Sequence, residues 1–482
     1  MKIYLKGIEN KYEIEKLVRI FLPFEKVEFC ETLTDDVNCS LIVTFSEEVN
    51  FSAKLNIMGK SASFEKSYKP SAPKLTERRA AATLYECFCK ITGYSSRWGI
   101  LTGIRPAKLY SNILNENNEE YADNYFLEEL KVTKPKLDLL KQTNKREEDI
   151  INGSTDKSFS LYVGIPFCPS RCSYCSFVSH SVESANALIP KYVEMLLKEI
   201  EYTGNIAKQL KLKLETVYIG GGTPTTLNAE QLSQVMGAIS SNFNLSTCRE
   251  YTVEAGRPDT VTGDKLKSIM LGGATRISIN PQTANDNVLK AISRRHTFED
   301  TKNAFHLARE IGFNNINMDL IAGLPSDDYE SFCHSVEELI KLGPESITIH
   351  TLCMKRSSTL TLKEDFERLR FGEETSRMLD FSKQRLESQN YKPYYMYRQS
   401  KMVGNLENVG YAKPGYEGLY NVYIMDETHT ILSCGASAVT KLRRNNPTEI
   451  ERIFNFKYPY EYINDFSEQI KRKEKIIEFY NK

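Results

Sequence analysis

The rhythm of apolar and polar positions changes near residue 160. Before that point the chain opens on the alternating KIYLKG and passes through RRAAATLYECFCKITGY, whose apolar residues recur at helical spacing. Strand followed by helix predicts a small α/β or α+β unit over residues 1–150. A charged, polar stretch, NKREEDIINGSTDKSF, follows and reads as a linker. From Leu161 onward, short apolar runs alternate with amphipathic helices. The runs are LYVGIPF, TVYIG, EYTVEA, RISIN, NINMDLIA, SITIHTL and KPYYMY. Between them lie segments such as YVEMLLKEIEYTGNI, which sets Tyr192, Leu196 and Ile200 on one stripe. Strands alternating with helices imply a parallel sheet with right-handed crossovers, and six or more such units predict a partial or full (β/α) barrel. That barrel is expected over residues 159–400, with a C-terminal segment over 401–482.

Composition narrows the picture. A chain of 482 residues exceeds what one hydrophobic core usually serves, in keeping with two or three domains. Its 63 basic residues balance 63 acidic ones, so no overall charge draws it to nucleic acid or to an anionic membrane. No stretch approaches the roughly 20 apolar residues of a membrane-spanning helix. The opening MKIYLKGIENKYEIEK carries no signal-peptide core, so a cytoplasmic protein is expected. Eleven cysteines at irregular spacing suit reduced thiols or metal ligands better than a disulfide framework.

One cluster of them stands out. GIPFCPSRCSYCSF places Cys168, Cys172 and Cys175 directly after the first predicted barrel strand, at the end of the barrel where such folds keep their chemistry. Zinc would need a fourth ligand, for which His180 is the nearby candidate. Three unligated thiols in such a loop would be an oxidation liability. A four-iron, four-sulfur cluster fits better, because three thiolates can hold three irons and leave the fourth open to a small molecule.

Further motifs fall at the ends of the later predicted strands. GGGTPT brings Gly220, Gly221 and Gly222, which permit close backbone approach to a ligand. TVEAGRP supplies Glu254, RISINPQT supplies Gln282, KAISRRH supplies Arg294 and NMDLIAGLP supplies Asp319. Each is a weak signal alone. Together they set one polar residue per strand end around the cysteine loop.

The Cys-x3-Cys-x2-Cys spacing, with Tyr174 before its last cysteine, resembles the signature of the radical S-adenosylmethionine (radical SAM) family. In that family the open iron binds the amino and carboxylate groups of SAM, and reductive cleavage yields a 5′-deoxyadenosyl radical. The motifs in their order resemble the oxygen-independent coproporphyrinogen III oxidases, or coproporphyrinogen dehydrogenases, across about residues 161–360. WGILTGIRPAKL and GNLENVGYAKPGYEGLYNVYIMDETHTILSCGASAV are similar to the longer subgroup with an N-terminal extension. The resemblance implies an α/β fold with a radical SAM barrel preceded by a small accessory domain, the segment 401–482 completing the substrate site. It implies cluster ligation by Cys168, Cys172 and Cys175, and SAM contacts from Tyr162, Tyr174, Gly221, Gly222, Thr223, Glu254, Gln282, Arg294 and Asp319.

The implied reaction removes a hydrogen atom, carbon dioxide and an electron from each of two propionates, leaving vinyl groups and giving protoporphyrinogen IX. An electron donor such as a flavodoxin or ferredoxin is implied with it. Four substrate carboxylates call for cations, for which the strand ends offer Lys355, Arg356, Arg398 and Lys401. The segment 397–416, rich in Gly and Asn, reads as a loop over the barrel mouth, and Arg105 as a loop anchor or, alternatively, a substrate contact. Two positions depart from the family pattern: Gly164 stands where the well-characterised oxidases have histidine, and Phe177 where they have a further cysteine. Relatives lacking that cysteine include haem-transfer proteins, so haem binding without decarboxylation is the alternative. Another radical SAM reaction on a tetrapyrrole, methyl transfer or ring opening, is a third.

Overall fold

The computed structural model describes residues 1–23, 25–103, 105–175, 179–353, 365–399, 402–444 and 449–481, with side chains of the helix Asp365–Ser388 described from position 371. Strands β1 (Lys2–Lys6), β2 (Glu28–Cys30), β3 (Cys39–Phe45), β4 (Val49–Ile57) and β5 (Lys60–Tyr68) form an N-terminal sheet of order 2-1-3-4-5. Alternation sets Cys39, Leu41 and Val43 of β3 and Phe51, Ala53 and Leu55 of β4 on its covered face. Helices Lys11–Phe21 and Pro73–Thr92 cover that face, and Phe21 stacks on Phe88 at 4.7 Å between ring centres. The small α+β unit expected from the alternation is present.

The expected linker is not. Helix Lys134–Ile151 runs through most of NKREEDII, buries Leu137, Leu139, Leu140 and Ile150, and packs Ile150 into a cluster with Tyr394, Tyr395, Val422 and Tyr423. Its charged residues mask a seam that the composition alone does not reveal.

The rest of the chain builds one large sheet, and the cysteine loop leaves the end of its first strand. Its strands are β6 (Ser158–Ile165), the short pair β7 (Phe167–Cys168) and β8 (His180–Ser181), then β9 (Lys213–Gly221), β10 (Glu250–Gly256), β11 (Arg276–Ile279), β12 (Ile316–Ala322) and β13 (Ser346–Thr351). The last five are β14 (Lys392–Tyr397), β15 (Asn408–Ala412), β16 (Thr430–Cys434), β17 (Val439–Arg444) and β18 (Glu449–Phe454). Apart from the β7–β8 pair, they form an 11-stranded sheet of order 14-15-13-12-11-10-9-6-16-17-18. From β13 through β6 to β16 all neighbours are parallel, and the flanking strands are antiparallel. The six expected α/β units are there. Pairing runs from β14 to β18 without joining them, so among the described residues the barrel is partial.

Two details depart from the expected order. KPYYMY does form a strand, but β15 is inserted antiparallel between it and β13. The expected loop over 397–416 therefore contains a fully buried strand. Its Asn and Gly residues are accommodated by close packing: a Cβ on Gly410 would meet the Tyr395 ring at 1.9 Å.

Period-two alternation divides the central strands sharply. Leu161, Val163, Val217, Ile219, Val253, Ile277, Met318, Leu320, Ile347 and Ile349 are buried on the helix-covered side. Ser160, Thr216, Thr252, Ser278, Asn317, Ser346 and Thr348, also buried, share the inner side. They satisfy one another there: Thr216 donates to Ser160 at 2.7 Å, and Asn317 Oδ1 accepts from Ser346 at 3.1 Å and Thr348 at 3.2 Å. The lumen is polar, and its upper end is the site.

Candidate functional site

The cysteine loop is pinned where it leaves the sheet. The Gly222 N–H donates to the Ile165 carbonyl at 2.8 Å, Thr223 N–H to Phe167 at 2.7 Å, and His180 N–H to Pro166 at 2.9 Å. Between these anchors Cys172 is nearly covered while Cys168 and Cys175 are half-buried, and Cys175 N–H closes a turn onto the Cys172 carbonyl at 3.1 Å. Gly222 lets the loop pack directly on the strand end, since a Cβ there would lie 3.0 Å from Cys168 Sγ and 2.5 Å from the Phe167 carbonyl oxygen. Gly221 has φ +109°, open to glycine.

Two donors face the sulfurs. Thr223 Oγ1 lies 3.6 Å from Cys168 Sγ, and Arg257 Nη1 lies 3.6 Å from Cys172 Sγ. Arg257 is buried, paired with Asp259 at 2.8 Å, and also bonded to Ser170 Oγ at 3.1 Å. It sits in the TVEAGRP stretch beside the expected Glu254 and is a site residue that the motif did not single out; a guanidinium three residues past that carboxylate is the sequence signal for it. Among the described residues no three His, Cys, Asp or Glu side chains converge closely enough to hold a single metal ion. His180 instead packs edge-on against Tyr458 at 5.9 Å and Tyr460 at 6.5 Å. Three thiols spaced along a pinned loop, with hydrogen-bond donors to two of them and no side chain at Gly222, fit a cluster whose irons take one cysteine each.

Around the loop the strand ends bring most of the expected residues together. Tyr162 stacks at 6.3 Å on both Tyr218 and Tyr420, and Tyr218 stacks on Tyr420 at 4.5 Å. Tyr420 arrives on the helix Leu419–Asp426, whose first N–H groups are capped by Glu250. Tyr218 donates to Glu254 Oε1 at 2.5 Å. Burial pushes the Glu254 carboxyl up to about 7, against the lowering by that hydrogen bond, and nearby Asp319 adds to the rise. Asp319 is held below the usual carboxylate range despite its burial, by His350, Asn317 and Thr348. Its Oδ1 accepts from Asn317 Nδ2 at 2.7 Å and its Oδ2 lies 3.6 Å from His350 Nε2. Gln282, at φ +74°, bridges to β12 by donating its N–H to the Asp319 carbonyl at 2.9 Å. Arg294 ties the loop to the sheet, donating to Tyr174 Oη at 2.9 Å and to the Asn280 carbonyl at 3.0 Å.

The expected substrate cations fare differently. Lys355, Arg356 and Lys401 lie outside the described residues, as does Phe177. Arg398 is corrected: it is buried and donates to the carbonyls of Leu101 at 2.7 Å and Asn405 at 2.7 Å, with its guanidinium 5.2 Å from the Trp98 ring centre. It clamps the N-terminal region to the segment after β14 rather than facing the mouth. Lys413 likewise donates to the Gly343 carbonyl at 2.9 Å. Arg105 pairs with Glu427 at 2.6 Å, an anchor as expected.

Comparisons with known proteins agree with this geometry. The radical SAM superfamily profile matches residues 162–339. The oxygen-independent coproporphyrinogen-III oxidase-like protein HemZ of Bacillus subtilis is 34% identical over 99% of this chain and 99% of its own. The heme chaperone HemW of Bacillus subtilis is 32% identical over 58% of this chain and 70% of its own. Among solved structures, coproporphyrinogen III oxidase (HemN) from Escherichia coli, a radical SAM enzyme, superposes with a TM-score of 0.50 and 23% identity, covering 67% of this chain and 72% of that one. That likeness is one of fold. No helix among the described residues is long and apolar enough to cross a membrane.

Proposed function

The chain belongs to the radical SAM family of oxygen-independent coproporphyrinogen-III oxidase-like proteins, and from that premise we propose that it oxidatively decarboxylates two propionates of coproporphyrinogen III, giving protoporphyrinogen IX. The observation that carries this reading is the likeness to HemZ over 99% of both chains, which includes the N-terminal region as well as the cysteine loop. Cys168, Cys172 and Cys175 would hold the 4Fe–4S cluster. When bound, the cluster and SAM supply the reducing electron and the radical that abstracts hydrogen.

What the chain itself contributes follows from its side chains. Arg257 and Thr223 place donors against two sulfurs and so favour the more negative state of whatever those sulfurs bind. Gly221 and Gly222 seat the cysteine loop against the strand end, and Glu254 and Asp319 offer carboxylates for an ammonium or for ribose hydroxyls. The Tyr162, Tyr218 and Tyr420 stack closes the lumen below and limits water beneath the mouth. Each propionate loses a hydrogen atom, carbon dioxide and an electron, so the reaction also needs an electron acceptor. A flavodoxin or ferredoxin is the proposed reductant.

A second reading, haem binding or transfer without decarboxylation, is favoured by Gly164 and Phe177 and by the 32% identity to a heme chaperone over 58% of the chain. Anaerobic turnover with coproporphyrinogen III, SAM and a reductant, followed by mass analysis, separates them. Decarboxylation yields a product lighter by two carbon dioxides and four hydrogens. Unaltered tetrapyrrole with stable haem binding supports the carrier. An added methyl group or an opened ring indicates another tetrapyrrole reaction.

A further inference from the structure

We propose that His350, with Tyr397, forms the seat for a substrate carboxylate at the barrel mouth. This inference rests on the tetrapyrrole reading above and adds the residues that would recognise it. Along β13, Ser346 and Thr348 both donate to Asn317 in the lumen, so His350, two positions on, shares their face at the open end of the strand. Its side chain is 27% exposed. One ring nitrogen, Nε2, lies 3.6 Å from Asp319 Oδ2, and the other, Nδ1, lies 3.5 Å from the Tyr397 hydroxyl. Both separations are long for hydrogen bonds, which leaves room for a ligand oxygen to take up the imidazole.

The electrostatics call for a donor at this place. Glu254 and Asp319 line this end of the lumen, and a substrate bearing carboxylates meets two acidic groups there. Among the described residues the guanidiniums have partners in the protein: Arg276 donates to Ser346, Arg294 to Tyr174 and Asn280, Arg257 to Asp259 and Ser170, and Arg398 to Leu101 and Asn405. His350 stands between Asp319 and Tyr397, with a ring nitrogen toward each. A carboxylate oxygen set between Nδ1 and the Tyr397 hydroxyl accepts from both, while Asp319 orients the ring through Nε2.

The test uses cluster-loaded protein kept free of oxygen, with coproporphyrin III as a tetracarboxylate probe, its tetramethyl ester as the uncharged control, and SAM. Binding is read by porphyrin fluorescence and by equilibrium dialysis. His350→Gln is expected to weaken coproporphyrin III binding about tenfold or more, the effect of losing one hydrogen bond to a charged group. Tyr397→Phe weakens it less, and His350→Lys recovers most of the loss. Ester and SAM binding stay at the level of the parent in all three. Unchanged coproporphyrin binding in His350→Gln overturns this inference alone, as does equal loss of SAM, ester and acid, which marks a structural role. Parent protein that binds no coproporphyrin III overturns the tetrapyrrole reading and this one with it.

Discussion

Trp98 Nε1 donates to Glu407 Oε2 at 2.7 Å across a sequence separation of 309 residues. The other oxygen of Glu407 accepts from Lys136 Nζ at 2.6 Å, and all three side chains are buried. Thr351 Oγ1, at the end of β13, donates to the Glu407 backbone carbonyl at 2.7 Å. The WGILTGIRP stretch is thereby fastened to the segment bordering the barrel mouth.

Glu407→Ala leaves the Lys136 ammonium buried with only a distant partner, Asp380 at 3.6 Å. We expect a loss of about 3–5 kcal/mol, the cost of breaking a buried ion pair from one side, read as a lowered urea midpoint. The double replacement Lys136→Met with Glu407→Leu recovers much of it. Arg398→Ala belongs to the same seam and should lower stability without selective loss of tetrapyrrole binding.

Serine at position 168, 172 or 175 removes a thiolate from the loop but nothing from the sheet core. Each single variant should keep its far-ultraviolet circular dichroism and lose most of its iron after anaerobic reconstitution. Full iron content in any one of them refutes three-cysteine ligation.

Arg257→Met takes away the donor to Cys172 Sγ at 3.6 Å while keeping an apolar stem of similar length. Fewer hydrogen bonds to cluster sulfur destabilise the reduced state. The midpoint potential should fall, as followed by spectroscopic redox titration, with iron content close to the parent's. An unchanged or raised potential contradicts the role given to this residue.

Glu254 keeps its proton up to about pH 7 in the folded chain, against about 4.5 for an ordinary glutamate, because burial penalises the charge. Between those values the folded state holds more protons than the unfolded one, so this group's contribution to stability falls as pH rises and levels off above about 7. Glu254→Gln should therefore gain thermal stability relative to the parent between about pH 5 and pH 8. If the carboxylate contacts the SAM ammonium, SAM affinity of the parent rises across the same interval and that of the variant does not.

The sequence announced those features whose cause is local. Tyr192, Leu196 and Ile200 fall on one helical stripe and are fully buried, and the strand runs owe their legibility to an apolar outer face repeated every second residue. The cysteine loop was legible because spacing alone carries its chemistry. What stayed hidden depends on partners far along the chain. Arg398 shows a charge in the sequence, but nothing near it indicates that carbonyls at 101 and 405 will consume its donors. NKREEDII looks solvated until Tyr394 and Tyr423 cover Ile150. Arg257 stands three residues past Glu254, and nothing near it in the chain indicates that Cys172 and Ser170 will face its guanidinium.

Strand β16 has a consequence for the order of events during synthesis. It lies beside β6, the strand that delivers the cysteine loop, pairing Thr430 to Phe159 and Cys434 to Val163. While the chain emerges from the ribosome, β6 can gain β9 early, but its other edge stays bare until residues near 434 are out. The delay spans about 265 residues, on the order of 10–50 s at ordinary translation rates. An unpaired edge over that interval exposes backbone donors and acceptors beside the cysteine loop. The edge beside the cysteine loop is complete only once translation has passed the strand that covers it.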